Sequence, residues 1–225
     1  GYLMAGKITE LRFQKRNKDR VNVYLDDQFA FGLAAIEAAR LKVGQELSDA
    51  DIARLKNRDD IERAYERALN FLSYRPRSEA EVRRNLRKKD GDEQVIEVAI
   101  ERLTQAGLLN DREFAEYWVE NRVQFKPRGA RALRQELWKK GVPDAVIAQV
   151  LEEFDEQDSA RRVAEAGARR MKNLDPRDFR RKLSAYMARR GFSYAAIKPL
   201  VEEMLETACC ESSTDIEKSE ESLDE

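Results

Sequence analysis

The chain has 225 residues, enough for one compact domain or two small ones, with 42 basic and 43 acidic side chains and a net charge of −1. It has no histidine and only two cysteines, the adjacent Cys209 and Cys210, which excludes imidazole catalysis, a Ser-His-Asp triad, a zinc tetrad and a disulfide framework. Charged residues make up 38% of the chain, no apolar run approaches a membrane span and no secretory pattern opens it, so a cytoplasmic protein built of exposed, charged helices is expected.

Residues 1–58 read as an N-terminal unit of their own. Residues 7–15 alternate loosely around Ile8, Leu11 and Phe13, residues 21–25 are strand-like, and Asp26-Asp27 turns the chain into Phe29-Ala30-Phe31. The pattern predicts a small antiparallel meander of about three strands, a size that needs helical cover. A short helix over about residues 33–40 follows, and Ser48 is placed to cap a helix through about Asn57.

From Asp59 onward the sequence is helical and repeats. Leu86-Arg87-Lys88-Lys89 aligns with Leu137-Trp138-Lys139-Lys140 and with Met187-Ala188-Arg189-Arg190, at offsets of 51 and 50 residues. Val82, Leu133 and Leu183 correspond, as do Ile96, Ile147 and Ile197, and Tyr74-Arg75-Pro76-Arg77 falls on Phe125-Lys126-Pro127-Arg128. Each copy is long enough for three short helices, giving repeats at 59–110, 111–155 and 156–206. The fold class predicted is therefore mainly α: an elongated tandem array of three three-helix repeats with a small N-terminal antiparallel β meander. Pro199 falls inside a predicted helix and should kink or shorten it. Residues 207–225 hold seven acids against one lysine, leaving +5 on the rest of the chain, and read as a disordered acidic tail.

The recurrent chemistry is cationic. The first repeat offers Arg75, Arg77, Arg83, Arg84 and Lys88; the second Lys126, Arg128, Arg131, Arg134, Lys139 and Lys140; the third Arg180, Arg181, Arg189 and Arg190. Between Arg122 and Lys140 seven bases face one acid, Glu136. Taken singly, such side chains read as solvated helix faces. Their recurrence at equivalent positions points instead to a surface for phosphate oxygens or partner carboxylates, lined up as one basic stripe. Trp118, four residues after Phe114, reads as core, and Trp138, beside Lys139, as a partly exposed contact. Tyr74 and Phe125 read as hydrophobic plugs at the repeat junctions. No catalytic constellation, phosphate loop, metal set or cofactor is indicated, and base-specific readout by a helix-turn-helix has no distinctive cluster to carry it. An autonomous helical DNA-binding module or transcription regulator stays open as the alternative.

Several stretches carry a resemblance. They are residues 64–72 running into Arg75-Pro76-Arg77-Ser78, then Gly107-Leu108-Leu109-Asn110-Asp111, Phe114-Ala115 with Trp118-Val119, Lys126-Pro127-Arg128-Gly129, Lys140-Gly141 and Arg189-Arg190-Gly191-Phe192. In order and spacing the chain resembles the RecX family, regulators of the RecA recombinase, over about residues 60–206. The resemblance implies a cytoplasmic, non-enzymatic protein that binds the RecA–DNA filament, inhibits its ATP hydrolysis and strand exchange, and touches single- or double-stranded DNA without sequence preference; a monomer is expected.

Overall fold

The computed structural model describes the backbone of residues 5–89 and 91–221, with side chains through Thr207. The chain divides into two compact units, Gly1–Asn110 and Asp111–Glu225.

The first unit opens with four antiparallel strands, β1 (Gly6–Phe13), β2 (Arg20–Leu25), β3 (Gln28–Ala34) and the two-residue β4 (Glu46–Leu47), in the order β3-β2-β1-β4. Asp26 and Asp27 both adopt positive φ, 46° and 65°, which gives the tight hairpin turn between β2 and β3. Val21, Val23 and Leu25 alternate inward with Phe31 and Leu33. The one-turn helix α1 (Ala35–Ala38) is shorter than the sequence suggests because β3 runs on to Ala34. The strand β4, too short to carry an alternating pattern, escapes the sequence pattern altogether.

Cover for the sheet comes from α2 (Asp49–Leu72), which begins in a capping box at Ser48 and Asp51. The sequence predicts two helices with a break near residue 58; the structure has a single helix of 24 residues. The reason is Asp59. The residue is 3% exposed, and its carboxylate takes a two-pronged hydrogen bond from Arg20 (3.1 and 2.7 Å) and another from the Ala34 amide (2.9 Å). Asp59 is thus an anchor between sheet and helix. Ile52 and Leu55 of α2 pack on the sheet, while Ala64 and Ala68 of the same helix enter the first helical core.

That core is completed by α3 (Glu79–Arg87) and α4 (Glu93–Gln105), with Val82, Leu86, Ile96, Ala99 and Leu103 fully buried. The second unit holds two more bundles. One is α5 (Asp111–Phe125), α6 (Ala130–Lys140) and α7 (Asp144–Glu152), around Phe114, Leu133, Leu137 and Ile147. The other is α8 (Gln157–Met171), α9 (Pro176–Ala188) and α10 (Tyr194–Glu221), around Phe179, Leu183, Met187 and Ile197. The repeat alignment therefore holds in three dimensions: Val82, Leu133 and Leu183, and likewise Leu86, Leu137 and Met187, are each 0% exposed.

Two expectations concern α10. Pro199 does not shorten α10, which passes through it; the proline stands in the second turn, where one backbone hydrogen bond is forfeited. The backbone of α10 continues to Glu221, into the stretch expected to be a disordered acidic tail, and residues 222–225 lie outside the described residues.

Candidate nucleic-acid and partner interface

The helix that presents the clearest candidate surface is α6, and the third bundle holds it in place. Its N-cap, Gly129, has no side chain to satisfy the first free amides, so Glu156 reaches across to accept from the Ala130 amide (3.0 Å). Glu156 also accepts from the Ser193 hydroxyl (2.7 Å), just ahead of α10. The Gly129 amide donates to the Arg190 carbonyl (3.0 Å), and the Arg131 amide to that of Gly191 (3.3 Å). The approach is backbone on backbone. A Cβ at Gly129 would stand 2.4 Å from the Gly191 carbonyl oxygen, and one at Gly191 2.4 Å from the Ala132 nitrogen.

With Leu133 and Leu137 turned inward, the opposite side of α6 shows Arg131, Arg134, Gln135, Trp138 and Lys139, all exposed. Residues three, four, seven and eight positions apart along a helix are neighbours on one face, and this set keeps that spacing from Arg131 onward. The face carries three cations, an indole 64% exposed, and no carboxylate. Among the described residues Lys126, Arg131, Arg134 and Lys139 have no ion pair.

The repeat alignment explains why Arg134 is free. Its counterpart Arg83 sits between acids: two hydrogen bonds reach Glu97 on α4 (2.7 and 3.1 Å) and one reaches Glu79 (2.7 Å). The bond to Glu97 is the main reason the Arg83 pKa is raised; desolvation opposes it and Glu79 adds to it. In the second repeat Ala148 stands where Glu97 would be, and Trp138 replaces Arg87, whose guanidinium binds Glu93. The second repeat lacks both acids that hold Arg83: Ala130 stands for Glu79 and Ala148 for Glu97, while Asp144 keeps the acid of Glu93 but has no arginine at position 138 to bind.

The other predicted cations divide between two fates. Arg75 is forked onto Glu81 and Arg180 onto Glu202, and Arg181 donates a single bond to Asp178 (2.7 Å). Arg128 lies 3.8 Å from Glu136, which also accepts from Arg122 (2.6 Å) and from the Trp118 indole (2.8 Å). Lys140 and Arg122 sit over the Trp118 ring, at 4.7 and 4.5 Å from its centroid. Arg190 stacks on Tyr186 at 3.7 Å, and Arg77 on Phe71 at 3.9 Å. Lys88, Arg84 and Arg189 are exposed. Trp118 is thus half-buried in a charged cluster, while Trp138 is open as expected. Tyr74 and Phe125, expected as plugs, are 75% and 71% exposed: each stands past the last core-facing turn of its helix, where the bundle offers no apolar partner.

Sequence reasoning missed the acids that organise the surface, Glu136 and Glu156. Only Glu136 left a signal, as the lone acid in a run of bases. Among the described residues no group of acidic or thiol side chains is placed to hold a metal ion, and no helix is long and apolar enough to cross a membrane.

Residues 6–48 match the RecX N-terminal domain, and residues 64–103, 110–151 and 155–201 match the first, second and third RecX three-helix domains. The chain belongs to the RecX family. It is 34% identical over 202 residues to the regulatory protein RecX of Bacillus subtilis, covering 88% of this chain and 76% of that one. Against the RecX of Oceanobacillus iheyensis the identity is 31% over 208 residues, covering 88% and 76%. A crystal structure of a regulatory protein RecX superposes with a TM-score of 0.72 at 29% identity, over 90% of this chain and 99% of that one. The crystal structure of RecX from Lactobacillus salivarius gives 0.61 at 30% identity, over 65% and 97%.

Proposed function

We propose that this RecX-family protein regulates the RecA recombinase by binding the RecA–DNA filament, and that it slows ATP hydrolysis and strand exchange in recombination and DNA repair. The exposed face of α6 is its main contact. The observation that carries this reading is that, among the described residues, no internal carboxylate pairs with Arg131, Arg134 or Lys139 around an exposed Trp138. Several arginines at repeated positions, among them Arg75, Arg83 and Arg180, are spent on internal ion pairs, so an unneutralised face is a difference that folding does not require. Guanidinium groups fixed on a helix suit phosphate or carboxylate oxygens, and several weak contacts add up on a polymeric target.

The test is a DNA-dependent RecA ATPase assay titrated with the protein. Wild type should inhibit, and Arg131→Glu with Arg134→Glu should weaken inhibition by tenfold or more, an effect on the order of 1.4 kcal/mol. The variant's thermal midpoint should stay within a degree or two of wild type, because both side chains are exposed and unpaired. Full inhibition by the double variant would remove α6 from the contact. The exposed indole also suits the alternative of an autonomous DNA-binding module. That reading requires sequence-selective binding to duplexes at physiological salt without any recombinase present.

A further inference from the structure

The two aromatic rings that precede the proline links are exposed for no reason internal to the fold. Tyr74 and Phe125 occupy the same place in the first and second repeats, 51 residues apart, and neither joins a hydrophobic core. Leaving so much ring surface in water is unfavourable unless something covers it. Each ring is followed by a basic residue, a proline and an arginine, and no acid lies within residues 73–78 or 124–131.

Those arginines carry the second observation. Nε of Arg77 and Nε of Arg128 are both buried, and neither has a hydrogen-bond acceptor among the described residues. Phe71 holds one face of the Arg77 guanidinium, fixing its plane without satisfying its donors. Burial first, and the charge of Arg75 second, lower the Arg77 pKa. An anion at the edge of that guanidinium would offset both effects. Arg128 reaches no closer than 3.8 Å to Glu136 through Nε, so it too has an unmet donor.

We infer that each of these two links is a contact for single-stranded nucleic acid: Tyr74 and Phe125 stack on unpaired bases, and Arg77 and Arg128 take the adjoining phosphates. The inference rests on the DNA contact proposed above and narrows it from DNA in general to an unpaired strand. Bases inside a duplex are already stacked on one another and present no face to a protein ring, whereas single strands are bound on aromatic platforms flanked by cations. Stacking accepts any base, in keeping with the lack of a distinctive base-reading cluster. The third repeat keeps the arginine, Arg177, but lacks the ring. Leu174 and Asp175 precede Pro176, and Asp175 is occupied as the cap of α9.

The experiment measures fluorescence anisotropy of the full chain with a labelled oligothymidine, an abasic oligonucleotide of equal length and a duplex. Tyr74→Ala with Phe125→Ala should lower affinity for oligothymidine about tenfold or more and leave the abasic strand and the duplex unchanged. Tyr74→Trp with Phe125→Trp should restore binding to oligothymidine. No loss on oligothymidine, or an equal loss on the abasic strand, overturns the stacking role. Unchanged oligothymidine binding with lost inhibition of RecA would assign the rings to a protein contact and also overturn it. Failure of the wild type to inhibit RecA would instead sink the proposed regulation while leaving this measurement meaningful.

Discussion

Asp59 shows how much a single carboxylate holds at the residue scale. It joins β2, β3 and α2 through Arg20 and the Ala34 amide, and it is nearly sealed from water. Asp59→Ala would leave the Arg20 guanidinium and a backbone donor unpaired, so a loss of about 3 kcal/mol is expected in urea unfolding. Asp60, exposed on the next position, should cost almost nothing on the same substitution. From sequence the two are indistinguishable, since both look like turn or surface acids; what separates them is a partner 39 residues away. Gly191 is a second such position. It has φ of 86° and would drive a Cβ into the backbone of Ala132. Gly191→Ala should therefore cost about 2 kcal/mol or more, read as an earlier unfolding midpoint.

The helical elements were far more legible than these ties. Apolar spacing located the three bundles and the repeat register named residues that are fully buried, because a helix with a core face must place Leu133 and Leu137 on the same side. The boundary near residue 58, the strand β4 and the fate of Tyr74 and Phe125 were not legible. Each depends on what lies across space rather than along the chain. The candidate surface was half legible. Cations could be counted, but whether each had a carboxylate opposite it could be judged only by laying α4 against α7, where Glu97 becomes Ala148. That comparison gives a prediction free of charge reversal. Ala148→Glu should supply Arg134 with the partner that Arg83 has, and weaken filament inhibition about threefold or more, with stability unchanged or slightly higher. At the start of α2, Asp51 is held down to about 2, chiefly by its hydrogen bonds with Ser48 and then by Arg54. A depressed carboxylate stabilises the folded form above its ordinary value near 3.8 and loses that contribution as pH falls through about 2. Amide exchange at the first turn of α2 should therefore accelerate between those limits, before the helix interior is affected.

For the molecule as a whole, most arginine charge is used inside the fold, and net charge is a poor guide to what a partner meets. The measurable counterpart is salt dependence. Binding of wild type to single strands should fall steeply with salt, and Arg131→Glu with Arg134→Glu should flatten the slope by roughly 0.7 for each phosphate that is no longer neutralised. Removing the Tyr74 and Phe125 rings should leave that slope alone. The 24-residue helix α2 has a further consequence. It is a rod of about 36 Å whose first turns are bolted to the sheet and whose last turns form a wall of the first bundle. A load applied at the strands cannot be absorbed by a hinge near residue 58, since none exists there; it arrives at Ala64 and Ala68 as torque. The sheet and the first bundle should accordingly melt as one cooperative block, and severing the chain between residues 58 and 59 should unseat both.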